Sequence, residues 1–75
     1  MIPVLIVTGV GMWTASKRTT LVACPHVGDN ITVGEITLTC DVVFIGETEV
    51  EVRDTSRFES EEALRRFAEG NGWTL

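Results

Sequence analysis

Cys24 and His26 are the one place in this chain where a thiol and an imidazole stand close in sequence. Pro25 separates them, and residues two apart on an extended segment share a face, so contact between the side chains is open to them. A Cys–His pair of that kind would serve nucleophilic catalysis, in which the imidazole takes the thiol proton. His26 is the only histidine, however, and no third residue nearby is expected to orient its ring. The expectation is therefore a strand-end thiol followed by a loop histidine, with no catalytic residues. The second thiol, Cys40, adds little: with Cys24 and His26 it falls one ligand short of a structural zinc site. Two cysteines also make at most one bridge. Two buried thiols, no metal and no cofactor are the expected state, with a single Cys24–Cys40 bridge as the alternative. Gly9-Val10-Gly11 opens like a dinucleotide-binding loop, but Thr14 occupies the third glycine position and no helix follows.

Two further groups of residues are candidates for binding. Glu47, Glu49 and Glu51 alternate, which on one strand places three carboxylates on one face about 7 Å apart, with Asp41 beside Glu51. Such a face needs solvent or a basic protein surface, and diverging carboxylates suit a docking face better than a divalent metal. Lys17, Arg18 and Trp13 form the second group, a small nucleic-acid contact with stacking on the indole. The alternative for these three is a solvated basic turn and an indole in the core. Trp13, Phe58 and Trp73 are the aromatic candidates for interface anchors or core plugs.

Composition weighs against the nucleic-acid reading. The chain has 75 residues, is 44% hydrophobic and 23% charged, and carries a net charge of −5. Residues 1–40 hold two acids and two bases, whereas residues 41–75 hold nine acids and four bases. Nucleic-acid affinity comes largely from Lys and Arg on phosphates, which this balance does not provide. A chain this short makes one domain over 1–75, and its small core leaves no room for an enclosed small-molecule site. Ile2–Val7 is apolar but lacks a basic leader, and Trp13 stands where a cleavage site before Ala15 needs a small residue. That run is also far short of a membrane span. It reads as a buried strand in a cytoplasmic protein.

The elements follow from spacing. Ile2–Val10 reads as a strand covered on both faces, Thr14–Arg18 as a polar connection, and Thr19–Cys24 as a second strand ending at Pro25. Gly34-Glu35 suits a two-residue type II′ turn that pairs Val33 with Ile36, Thr32 with Thr37 and Ile31 with Leu38. For the next hairpin, a three-residue loop Ile45-Gly46-Glu47 sets Val50 opposite Val42 and Val52 opposite Cys40. That register keeps Val42 and Phe44 on the core face and turns Glu49, Glu51 and Arg53 outward. A helix starts after Ser60, carries Glu61–Arg65 and Glu62–Arg66 pairs, buries Ala63, Leu64, Phe67 and Ala68, and ends at Gly70. Trp73-Thr74-Leu75 packs back as a latch. The fold class is mostly β: a small β-barrel, or a strongly bent antiparallel sheet, of about five strands with one C-terminal α-helix.

From Leu21 to about Arg66, the string Val27-Gly28-Asp29-Asn30-Ile31-Thr32-Val33-Gly34-Glu35, with the hairpin and helix after it, resembles the carbon storage regulator family. The resemblance implies a small dimeric RNA-binding protein of intertwined strands, with basic residues just before the Val-Gly and late in the last strand. Here those places hold Pro25-His26 and Glu51, so the resemblance supports a small β fold without carrying RNA binding across. Taken together, the residues point to a non-enzymatic binding protein acting through a protein partner or self-association. A nucleic-acid-binding regulator is the alternative, and a small Cys/His enzyme the third reading.

Overall fold

The first apolar run becomes the centre of the molecule. In the computed structural model, which describes every residue from Met1 to Leu75, Ile2–Val10 forms strand β1 and Trp13–Leu21 returns beside it as β2. The two pair antiparallel along their whole length, from Ile2 opposite Leu21 to Val10 opposite Trp13. The loop between them is only Gly11-Met12, and Gly11 supplies the left-handed φ of 59° that so tight a turn needs. The expected connection over Thr14–Arg18 is thus the middle of β2. A two-residue turn leaves no length for it, and polar Thr, Ser and Arg side chains suit a strand with one face in water.

Asn30–Val33 (β3) and Ile36–Thr39 (β4) form the expected hairpin in the expected register, with Gly34 at φ 61°. Val42–Ile45 (β5) and Val50–Asp54 (β6) form the next one. β6 lies parallel to β1, Val4 opposite Val50 and Thr8 opposite Asp54, and antiparallel to β5. The result is a four-stranded mixed sheet in the order β2-β1-β6-β5 beside a separate two-stranded β3-β4 sheet. Six strands therefore replace the expected five, and the main sheet is mixed where an antiparallel one was expected. It is also open: β2 and β5 stand at opposite edges, so it does not close into a barrel.

The β5–β6 register differs from the expected one. Val42 lies opposite Arg53, Val43 opposite Val52 and Phe44 opposite Glu51, around a four-residue loop Gly46–Glu49. The cause sits just upstream. Asp41 N–H donates to the Arg53 carbonyl at 2.8 Å although Val42 is the residue opposite Arg53. Two residues thus face one, a β-bulge that flips the alternation between Cys40 and Val42. Cys40 stays on the core face as expected, while Val42 and Phe44 turn outward and Val43 turns in.

Glu61–Asn71 forms helix α1. Ser60 accepts from Ala63 N at 3.2 Å, and the expected ion pairs form, Arg66–Glu62 at 2.6 Å and Arg65–Glu61 at 3.5 Å. The helix runs two residues beyond the expected stop at Gly70. Asn71 donates to the Phe67 carbonyl, and the left-handed cap is Gly72 at φ 74°. Trp73 N–H then closes on the Ala68 carbonyl, and Thr74 bridges to Ser16 on the edge of β2, so the terminal latch forms as expected. Leu64 and Ala68 are buried, Phe67 is half-buried, and Ala63 is exposed.

All of this packing lies on one face of the main sheet. Val4, Ile6, Ala15, Val50 and Val52 meet Leu64, Ala68 and Trp73 from the helix side, together with Ile31, Ile36, Leu38 and Cys40 from the β3–β4 side. β1 is consequently covered on one face, where two were expected. No helix of the chain is long and apolar enough to cross a membrane.

Candidate binding face of the open sheet

Strand alternation settles which side chains occupy the uncovered face. Across the four strands, one row reads Arg18, Leu5, Glu51, Phe44, and the next reads Ser16, Val7, Arg53, Val42. Leu5 is half-buried and Val7 nearly covered, whereas Phe44 keeps 55% of its surface exposed. Around this apolar centre lie two ion pairs: Arg53 Nε on Glu51 Oε2 at 2.8 Å, and Arg18 Nε on Glu49 Oε2 at 3.4 Å. The Arg53 guanidinium also lies 6.0 Å from the Phe44 ring centre, within reach of its π face.

The face is not flat. At the β1–β2 turn a hollow of about 140 Å³ lies between Val7, Gly9, Thr14, Arg53 and Thr55. On the other side of Arg53, Phe44, Gly46, Glu49 and Glu51 line a broad depression. Arg53 is therefore the ridge between two concave regions. An apolar centre within a rim of paired charges is the anatomy of a protein-binding patch.

The acidic ladder expected at Glu47, Glu49 and Glu51 does not form. β6 begins at Val50, so Glu47 and Glu49 belong to the loop, and Glu49 and Glu51 each hold an arginine. Asp41 is not beside Glu51, because the bulge directs its carboxylate to Thr55, whose N–H and hydroxyl donate at 2.8 and 3.0 Å. The expected grouping of Trp13, Lys17 and Arg18 also separates. Arg18 faces Glu49 on the open face, while its neighbour Lys17 points to the other face and donates to the Asn71 carbonyl at the helix C-terminus, 3.4 Å away. Trp13 sits at the start of β2, four residues from Lys17 or about 13 Å along the strand, and is 50% exposed, so it is no core plug. Phe58, Phe67 and Trp73 do form an aromatic cluster, with ring centres 5.1 Å apart in each successive pair.

Cys24 and Cys40 are both free, Cys40 buried and Cys24 half-buried. Cys24 Sγ points at the Pro25 carbonyl, 3.7 Å away, and no hydrogen bond links it to His26. A third residue does stand by the imidazole, contrary to expectation: His26 Nδ1 lies 3.7 Å from Asp29 Oδ2, and the same carboxylate accepts from His26 N–H at 2.9 Å. This is a turn in which Gly28, at φ 95°, brings Asp29 back over His26, and it is exposed to solvent. Burial pushes the Cys40 thiol up from its ordinary pKa, and the nearby Asp29, Asp54 and Asp41 charges push in the same direction. A thiol so placed stays protonated at neutral pH and is a poor nucleophile.

Sequence does not reveal the open face because the expected register puts Phe44 and Val42 on the core face, although Arg53 faces outward as expected. The available signal was the odd spacing from Cys40 to Val43, which a bulge alone reconciles with one buried face. No family model, curated protein or solved structure compared with the chain matches it, so the face stands on its geometry.

Proposed function

We propose that the protein is a non-enzymatic binding module that takes a protein partner on the open face of its four-stranded sheet. The observation carrying this reading is the exposed Phe44 beside Val42, Leu5 and Val7, framed by the Arg18–Glu49 and Glu51–Arg53 pairs. A core-forming sheet of this size has every reason to cover an aromatic, and an exposed one beside a desolvatable arginine is the usual makeup of an interface anchor. Arg18 and Arg53 each lie against a carboxylate and the net charge of −5 repels a polyanion, so a protein is favoured over RNA or DNA. The partner would bring an apolar side chain for the Phe44 depression and its own polar groups for the rim. We place the protein in the cytoplasm, with no cofactor and no substrate chemistry.

The test is capture from nuclease-treated source extract with the tagged wild-type chain, Phe44→Ser, Arg18→Glu and, as a control away from the face, Val27→Ser. A protein retained by wild type and Val27→Ser but lost by both face variants is the expected result. Equal retention by Phe44→Ser and Arg18→Glu, or capture that disappears with nuclease, overturns the reading.

A further inference from the structure

We infer that two copies of this chain pair antiparallel through β5, joining their four-stranded sheets into one eight-stranded sheet with Phe44 at the twofold axis. The inference begins with the backbone. Hydrogen-bonded and non-bonded positions alternate along an antiparallel pair, and Gly46 N–H donates to the Glu49 carbonyl at 3.0 Å. That bond sets the phase: Phe44 and Val42 turn their backbone groups to β6, so Val43 and Ile45 direct N–H and C=O at the free edge. β5 contacts no helix and no strand other than β6, and no turn, loop or cap hydrogen bond uses the backbone groups of Val43 or Ile45.

The edge also lacks the features that normally discourage pairing. Val42, Val43, Phe44 and Ile45 contain no charge and no proline, and Ile45 is 77% exposed. The opposite edge, β2, differs: Thr74 pairs with it at Ser16, and it carries Lys17 and Arg18. Charge matters because the chain is acidic, and two copies at −5 repel. Near this edge Glu49 and Glu51 each lie against an arginine, which lowers that repulsion.

Self-pairing has one register that uses everything available. With Phe44 opposite Phe44 of the second copy, Val43 falls opposite Ile45 and Ile45 opposite Val43, so all the outward backbone groups of both strands are bonded. Directly opposite residues share a face. The two phenyl rings therefore meet on the open face, while Val43 and Ile45 of each copy cover one another on the other. Shifting the register by two places Asp41 opposite Ile45, which sets a charge against an apolar side chain. A foreign strand would bond the same backbone groups but would not automatically match both faces, whereas a second copy does. The open faces of the two copies become continuous, so this pairing would present the proposed binding face twice, side by side.

The test uses Phe44→Cys and Ile45→Cys in a Cys24→Ser background under a mild thiol oxidant such as diamide. Opposed non-bonded positions stand about 4.5 Å apart at Cα, within disulfide reach, so Phe44→Cys should yield a covalent dimer. The two copies of position 45 sit diagonally, about 7–8 Å apart, and Ile45→Cys should stay monomeric. Sedimentation should show a concentration-dependent dimer for wild type and a monomer for Ile45→Lys with an unchanged circular dichroism spectrum. A wild-type chain that is monomeric at every concentration, an Ile45→Lys chain that still dimerises, or Ile45→Cys cross-linking as readily as Phe44→Cys each overturns the inference. Ile45 is not on the open face, so capture of a partner by monomeric Ile45→Lys would leave the function reading standing if this one fails.

Discussion

Arg53 makes two contacts at once, a 2.8 Å bond to Glu51 and an approach to the Phe44 ring, and both depend on which way one strand residue points. Single residues elsewhere are equally decisive. Asp54 is buried yet fully used: one carboxylate oxygen accepts from Thr39 N–H at 2.9 Å, and the other from Ser56 N–H and Oγ at 3.0 and 3.2 Å. Thr8, opposite it on β1, is 1% exposed and its hydroxyl has no partner. A buried hydroxyl without a hydrogen bond retains its desolvation cost, so Thr8→Val should stabilise the fold by about 1 kcal/mol in urea unfolding. A loss of stability would mean the hydroxyl is bonded in solution. Cys40 gives a second prediction. Its raised folded-state pKa means the thiol binds its proton more tightly when folded, so the associated stability is fully present below the unfolded thiol value, about 8.5, and is lost as pH rises through the folded one. Wild type should therefore lose stability above that pH relative to Cys40→Ala, and Cys40 should resist alkylation until denaturant is added. Rapid labelling of folded Cys40 would contradict its burial.

Elements were legible wherever one local signal settled them. β1, the β3–β4 register and the helix start were readable because Pro3, Gly34 and Ser60 each do one thing at one place. Ser60 holds the first turn alone, so Ser60→Ala should cost about 1 kcal/mol by thermal melting, while Ser60→Asp should recover most of it. Equal melting temperatures for all three would show that packing of Leu64 and Ala68 holds that turn without the cap. β2 was misread because its polar residues look like a connection until the Gly11-Met12 turn is recognised. The β5–β6 register differs for a deeper reason: a bulge at Asp41–Val42 leaves no compositional mark, and it reverses the facing of Val42 to Ile45 while Val50 and Val52 still face inward and Glu51 and Arg53 outward as expected.

At the scale of the whole molecule, helix α1 and the β3–β4 hairpin lie on one face of the four-stranded sheet, and the proposed site is the face they leave open. Sequence does not show it, because β1 alone reads as apolar on both faces and its parallel neighbour β6 lies about forty residues further on. Two of the three acids that look like a ladder, Glu49 and Glu51, are in the assembled sheet the acidic halves of two ion pairs around an apolar centre. If that face is where this protein works, a partner must desolvate Phe44 and leave the helix in water. The most direct measurement is a backbone amide chemical-shift titration of the labelled chain with the captured partner. Shifts concentrated on Leu5, Val7, Arg18, Val42, Phe44 and Arg53 are the predicted result. Shifts concentrated on Glu61–Asn71 or on Val22–Val27, with the sheet face unmoved, would contradict it.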